Sequence, residues 1–383
     1  MIIGIDGRVL QEGTGGVFVY AKNLLEKMIP FAKKHKIKIF LNQYHRKISK
    51  AIDGLSKHEN VKLYKYRFPN KFLNCSFKFF AWPDIDYLMH GCDALFFPSM
   101  LYSSWSKRAK AVLTMHDLSY EFFPECFTAK QRAWHYLMDP KSMCKRASKI
   151  IAVSKSTKTD IAATYGIEEK KIKTIYSGID RIFHPVVDAE EIKRVRNKYR
   201  IPEGKYILQV GTFEPRKNHI ATIDAFSKRL LEHTTESKDW HLLFAGHNGW
   251  KTGKIIRAIK SSSFRDRIHV IRNFSSSDLS ALYSLSSFSV YPSFYEGFGF
   301  PVLESMACGV PVIASSNSSI GEVVSDSGLL VNPYRIDEIM SAMRSLALDR
   351  YLAKSLRAKG LARSTEFTWE KTAKDTLKVI ESV

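Results

Sequence analysis

Glu296 and Glu304 frame a loop with two glycines in the stretch YPSFYEGFGFPVLESMACGVPVIA, residues 291–314. Ionised carboxylates only accept hydrogen bonds, so a fixed pair of them suits a ligand rich in hydroxyls. The loop carries Gly297 and Gly299, and Pro301 suits the first turn of a helix running to about Cys308. Gly309 suits the stop of that helix. A glycine loop leading into a helix start presents backbone N–H groups and the positive end of the helix dipole, a seat for phosphate or sugar oxygens. Acceptors for hydroxyls beside donors for phosphates fit a sugar nucleotide.

Further candidates occur elsewhere. Arg216 and Lys217 are adjacent cations in TFEPRKNHIATIDAFSKRLLE, after the apolar strand KYILQVG. A planar guanidinium could hold two phosphate oxygens. His116 and Asp117 directly follow the strand AVLTM, where parallel sheets place ligands beyond their strand ends. Gly15 and Gly16 lie in a glycine-rich turn after the opening strand MIIGID, but the spacing is not that of a dinucleotide fingerprint.

EGFGFPVLE, a Glu, seven residues and a second Glu, resembles the signature of retaining glycosyltransferases of the GT-B fold, family 4. The resemblance covers essentially the whole chain, tightest from Gly211 to Val324 and looser over residues 40–110. It implies that Glu304 holds the donor's ribose hydroxyls. Glu296 and the N–H groups around Phe298, Gly299 and Phe300 would hold the transferred sugar. Arg216, Lys217 and the loop of Gly15 and Gly16 would stabilise the departing diphosphate. His116 would contact the sugar, with Asp117 orienting loops, and Phe274 falls where the family seats the nucleobase. The family's usual Arg directly after the glycine is Thr212 here, so Arg216 is expected to supply the missing guanidinium. No DxD-type metal pair stands out, and no metal or cofactor is expected beside the nucleotide-sugar donor. The family implies a front-face displacement in which the leaving phosphate oxygen takes the acceptor proton. EPRKN and the opening GRVLQEGTGGVFVYAKNLL resemble bacterial mannosyltransferases of polysaccharide assembly, which makes GDP-mannose the first expectation for the donor. A UDP- or ADP-sugar donor, or a non-catalytic basic binding protein on the same fold, is the alternative.

The elements that must carry these residues are strands alternating with helices. Apolar runs at IKIFL, VKLYK, DALFFP, AVLTMHD and KIIAVS, separated by helical stretches, indicate parallel sheets covered on both faces. At 383 residues, two domains are the default. The implied architecture is α/β: two Rossmann-like domains whose parallel sheets face across a cleft. Residues 1–182 are expected to bind acceptor and 183–366 donor, with a helix over about 367–383 returning to the first domain.

Composition narrows the setting. Hydrophobic residues make up 45% and charged residues 25%, ordinary for a globular chain. Five cysteines, Cys75, Cys92, Cys126, Cys144 and Cys308, lack CxxC spacing, which suits reduced thiols in a cytoplasm. No apolar run is long enough to span a bilayer and no signal peptide is evident, so a cytoplasmic location is expected. The net charge of +21 is uneven: residues 1–182 hold 31 Lys and Arg against 16 Asp and Glu. No nucleic-acid signature accompanies it, and no nucleic acid is expected. The surplus includes a basic, aromatic segment from Tyr64 to Tyr87, YKYRFPNKFLNCSFKFFAWPDIDY. Either it meets an anionic membrane on the inner face, where a lipid-linked saccharide acceptor would be carried, or it is a packed helix with solvated lysines.

Overall fold

The computed structural model describes residues 1–11, 13, 15–44, 50–227 and 239–383. Thr14 of the glycine-rich loop and residues 228–232, the end of the stretch TFEPRKNHIATIDAFSKRLLE, lie outside them. The chain forms two compact units, one of Met1–Leu118, Ala129–Gly178 and Thr368–Val383, the other of Ser119–Thr128 and Ile179–Phe367. The division after Gly178 falls four residues ahead of the expected one after residue 182, and the segment Ser119–Thr128 groups with the second unit.

The first unit is built on seven parallel strands: β1 (Ile2–Asp6), β2 (Lys36–Asn42), β3 (Val61–Tyr66), β4 (Ala94–Phe97), β5 (Lys110–Met115), β6 (Lys149–Ala152) and β7 (Ile172–Thr174). Their order is β3-β2-β1-β4-β5-β6-β7, with helices in every connection except that from β4 to β5. Ile3, Ile5, Ile39, Phe96, Val112 and Ile151 are fully buried, as strands covered on both faces require. The helix Trp369–Glu381 packs along the helix Gly16–Phe31. Its contacts are specific: Thr372 Oγ1 donates to Tyr176 O at 2.8 Å, Trp369 meets Tyr20 at 5.8 Å between ring centres, and Lys27 pairs with Glu370 at 2.9 Å.

The second unit carries six parallel strands: β8 (Lys205–Val210), β9 (Trp240–Ala245), β10 (Ile268–Ile271), β11 (Phe288–Tyr291), β12 (Val312–Ser315) and β13 (Leu329–Val331). They run in the order β10-β9-β8-β11-β12-β13. In both sheets the chain leaves its first strand in one direction and later returns to that strand's other side. Side by side in space, β8 and β11 are therefore far apart in sequence, and the loops at their C-terminal ends meet at the place where parallel sheets of this kind bind ligands.

Two close approaches tighten the second sheet at that end. A Cβ on Gly246 would stand 1.8 Å from the Gly211 carbonyl oxygen, and one on Gly249 would stand 2.5 Å from the Phe213 carbonyl oxygen. Both neighbours are backbone and cannot give way by rotating. Gly246→Ala should therefore lower stability by about 1–3 kcal/mol, the usual cost of overpacking. A urea melt of the variant that superimposes on the parent would show that the approach is looser than described.

Candidate active site

Arg216 and Lys217 sit on a single 3-10 turn, Pro215–Lys217, that follows β8. Pro215 opens this turn, and Asn218 closes it at φ 53°, a left-handed conformation asparagine tolerates. Glu296 lies in the loop after the neighbouring strand β11. Strand order thus brings a cationic pair and a carboxylate together at the ends of β8 and β11.

The contacts there are short and enclosed. Arg216 Nη1 donates to Glu296 Oε2 at 2.9 Å and to the Tyr295 carbonyl at 2.6 Å, while Nη2 donates to Glu214 Oε1 at 2.6 Å. Lys217 Nζ donates to Glu296 Oε1 at 2.5 Å. Burial alone would raise the Glu296 pKa, but the charges of Arg216 and Lys217 and their hydrogen bonds hold it down at about 2. Glu296 is therefore ionised at any physiological pH.

Their backbones are tied as firmly as their side chains. Gln209 Nε2 donates to Lys217 O at 2.8 Å, and the Phe294 N–H donates to Arg216 O at 2.9 Å. Glu296 N donates to Ser318 Oγ at 3.0 Å, while Ser319 Oγ donates to Glu296 O at 2.8 Å. The two cations differ in what remains to them. Arg216 is committed to Glu214, Tyr295 and Glu296. Among the described residues, Lys217 Nζ bonds Glu296 alone, and an ammonium has three N–H groups.

Glu304 projects from the helix Phe300–Ala307, whose N-cap, Gly299, has φ 98°, a value that favours glycine. Tyr283 donates its hydroxyl to Glu304 Oε2 at 2.9 Å, and Tyr291 donates to the Tyr283 oxygen at 3.3 Å. Burial raises the Glu304 pKa to about 7, against the Tyr283 bond and the positive Lys217, which favour its charged form. The environments of the two carboxylates of one motif therefore push their pKa values apart, one well below neutral pH and one close to it.

The other expected donor residues of this unit make local ring contacts. Phe298 is buried, edge-on to Phe300 at 5.3 Å and to Phe367 at 5.9 Å, so its ring is part of the packing. Phe274 follows β10 and stacks on His247 at 5.4 Å between ring centres, with 16° between planes.

His116, Gly15 and Gly16 belong to the first unit. Gly15 caps the helix Gly16–Phe31 at φ 90°. One turn into that helix, Tyr20 meets the His116 ring edge-on at 4.7 Å. His116 Nε2 lies 2.9 Å from the Pro98 carbonyl, which can only accept, so Nε2 carries the proton and Nδ1 is the acceptor. Burial lowers the His116 pKa, despite that carbonyl and nearby Asp117. The imidazole is thus neutral.

Sequence reasoning missed Glu214, Tyr283 and the serines at 318 and 319, which hold the named residues from outside the motif. It also missed the segment Ser119–Thr128. There Phe123 stacks on Phe294 at 6.3 Å and lies 5.9 Å from Tyr295, and Trp250 Nε1 donates to Cys126 O at 2.7 Å. A run rich in aromatics, EFFPECF, beginning four residues after Asp117, was the available signal.

Residues 14–182 match the family described as Glycosyltransferase Family 4, and residues 191–363 the family described as Glycosyl transferases group 1. The O-antigen chain mannosyltransferase B of Escherichia coli is 31% identical over 292 residues, 76% of this chain and 73% of that protein. The serotype-specific mannosyltransferase WbdA of Escherichia coli is 30% identical over 267 residues, 69% of this chain but 32% of that longer protein. Among solved structures, a sucrose-phosphate synthase from Thermosynechococcus elongatus superimposes with a TM-score of 0.78 at 18% identity, covering 100% of this chain and 98% of that one. WaaG, a glycosyltransferase involved in lipopolysaccharide biosynthesis, gives 0.72 at 15% identity, covering 99% of each chain. With two Rossmann-like sheets and these relatives, the chain is an enzyme of the GT-B fold and belongs to the glycosyltransferases of family 4 and group 1.

Proposed function

We propose that this enzyme transfers mannose from GDP-mannose, with retention at the anomeric carbon, to a saccharide or lipid-linked saccharide acceptor in polysaccharide assembly. The observation that carries the site reading is the Lys217–Glu296 pair between the ends of β8 and β11. Its carboxylate is ionised and its ammonium keeps N–H groups for a ligand. Mannose as the sugar rests on relatives named as mannosyltransferases at about 30% identity. A UDP-sugar is the second reading, since a structural neighbour, HepE of Anabaena, is a complex with UDP and glucose. A thermal-shift screen over GDP-, UDP- and ADP-sugars separates the two, because a ligand selective for the native state raises its melting temperature. A cytoplasmic location belongs to the same reading, and the chain's place among glycosyltransferases leaves the non-catalytic alternative without support.

In this reading Lys217 meets the donor's diphosphate and Arg216 fixes Glu296, whose free acceptor capacity takes hydroxyls of the transferred sugar. Glu304, on its tyrosine support, accepts from the ribose hydroxyls. Phe298, Gly299 and Phe300 bring the helix start toward the sugar, and Phe274 borders the base. Gly15 and Gly16 approach the diphosphate and His116 contacts the transferred sugar, the roles that the resemblance implies. As the acceptor oxygen bonds the anomeric carbon, the bond from that carbon to the phosphate oxygen breaks. The acceptor's proton passes to the departing phosphate oxygen, on the same face. Negative charge grows on the diphosphate in this step, and a fixed cation stabilises it without reorganising. Neither a metal nor a cofactor is part of the proposal.

Lys217→Ala should lower kcat at least about tenfold, the scale of one lost charge contact in a transition state. Unchanged turnover would remove Lys217 from the site. EDTA should leave activity intact, and abolition of activity restored by magnesium would contradict the metal-free reading. Because Glu304 ionises near pH 7 and only its charged form accepts from two hydroxyls, donor KM should fall up to about tenfold between roughly pH 6 and 8. Tyr283→Phe removes a bond favouring the charged form and should move that profile to higher pH. A flat KM would exclude the role given to Glu304.

A further inference from the structure

The basic, aromatic segment forms a helix, Asn70–Phe80, that is apolar on two faces. Its inner face, Leu73 and Phe77, is buried in the core of the first unit with Ile85 and Met89. Its outer face carries Phe72, Cys75 and Phe79 at i, i+3 and i+7, one stripe of a helix. Phe72 is 66% exposed and Phe79 69%. Phe80, the last residue of the helix, is 77% exposed; beyond it Trp82 is 64% exposed and Tyr87, on the next helical turn, 75%. Five large rings within sixteen residues thus face outward, whereas scattered single apolar residues are the norm for a soluble surface.

The rings are held by the scaffold. Ser76 Oγ donates to the Trp82 carbonyl, and Ser104 Oγ lies 2.7 Å from Ala81 O and 2.6 Å from Asp84 Oδ1. Tyr66 donates to Leu88 O, and the Asp86 carboxylate takes the N–H and hydroxyl of Ser106 at 2.8 and 2.7 Å. A rigid display loses little entropy on docking.

Charge selects the partner. Between Glu59 and Asp84 the chain has no carboxylate, while Lys62, Lys65, Arg67, Lys71 and Lys78 supply five cations. Among the described residues, Arg67, Lys71 and Lys78 make no ion pair. Single-stranded nucleic acid would stack its bases on rings along a charged groove. Here phenylalanines share one helix face, with Trp82 and Tyr87 beside them and cations around. Apolar rings that enter acyl chains, amphipathic rings that settle at headgroup level and lysines that meet anionic headgroups fit that arrangement better. No helix among the described residues is long and apolar enough to cross a membrane, so this contact would be peripheral.

We propose that the outer face of the helix Asn70–Phe80, with Phe80, Trp82 and Tyr87, docks the enzyme on a bilayer containing anionic lipid. This is independent of the donor reading. The full-length protein is floated with vesicles of phosphatidylcholine alone and with vesicles containing about 30% phosphatidylglycerol, at rising salt. Binding should require phosphatidylglycerol and weaken with salt. The triple variant F72S/F79S/W82S should lower the bound fraction at least about tenfold. Its melting temperature and thermal shift with sugar nucleotide should match those of the parent, because all three side chains are exposed. Cys75 is the exposed cysteine among the five, so an environment-sensitive thiol dye placed there should brighten when anionic vesicles are added. Absence of binding to either vesicle, equal binding by the variant, or an unresponsive dye on bound protein would overturn the proposal. So would a dimer, seen by analytical ultracentrifugation and lost in the variant, which would name a second copy as the occupant.

Discussion

A carboxylate taken out of water must either neutralise or be held between cations. Glu296 is held between two, and much of the second unit follows from that requirement. Its side chain is 11% exposed, Arg216 is 13% and Lys217 15%, and Glu214, at 3%, balances the second positive charge. Removing any one member would leave the enclosed cluster with an unbalanced charge. The cluster is therefore strongly specified, and the strands on either side must meet in one register for it to form.

That requirement explains features that serve no chemistry of their own. The turn Pro215–Lys217 needs its backbone held by Gln209 and by the Phe294 N–H. The Glu296 loop needs its own two serines from the connection after β12. Gly246 lets the loop after β9 lie against Gly211, at the root of the turn that carries the cations. Glu304 is treated differently: neutral tyrosines rather than cations support it, and it remains close to its ionisation point. One motif therefore supplies a permanently charged acceptor and a second whose state follows pH.

Much of this was legible in the sequence, because strand runs and glycine-to-helix transitions are local signals. The expected helix from Pro301 to Cys308 occurs at Phe300–Ala307, and the expected strand at residues 205–211 is β8. The three-residue strands β7 and β13 went unread, since so short a run has no periodicity. Partners across the chain were also invisible: Glu214 reads as a loop glutamate and Tyr283 as one more apolar residue of a helix. Sequence left two descriptions of the Tyr64–Tyr87 segment open, a packed helix or an interfacial one. The helix Asn70–Phe80 is packed on one face and bears exposed rings on the other, a division that depends on which residues the neighbouring strands cover.

The central claim is that Lys217, fixed by an ionised Glu296, receives the diphosphate of the donor. A crystal structure of the enzyme with an intact sugar nucleotide tests it most directly. The account predicts a diphosphate oxygen within hydrogen-bonding distance of Lys217 Nζ and a sugar hydroxyl on Glu296. A diphosphate seated away from Lys217, with the Lys217–Glu296 pair closed and untouched, would contradict it.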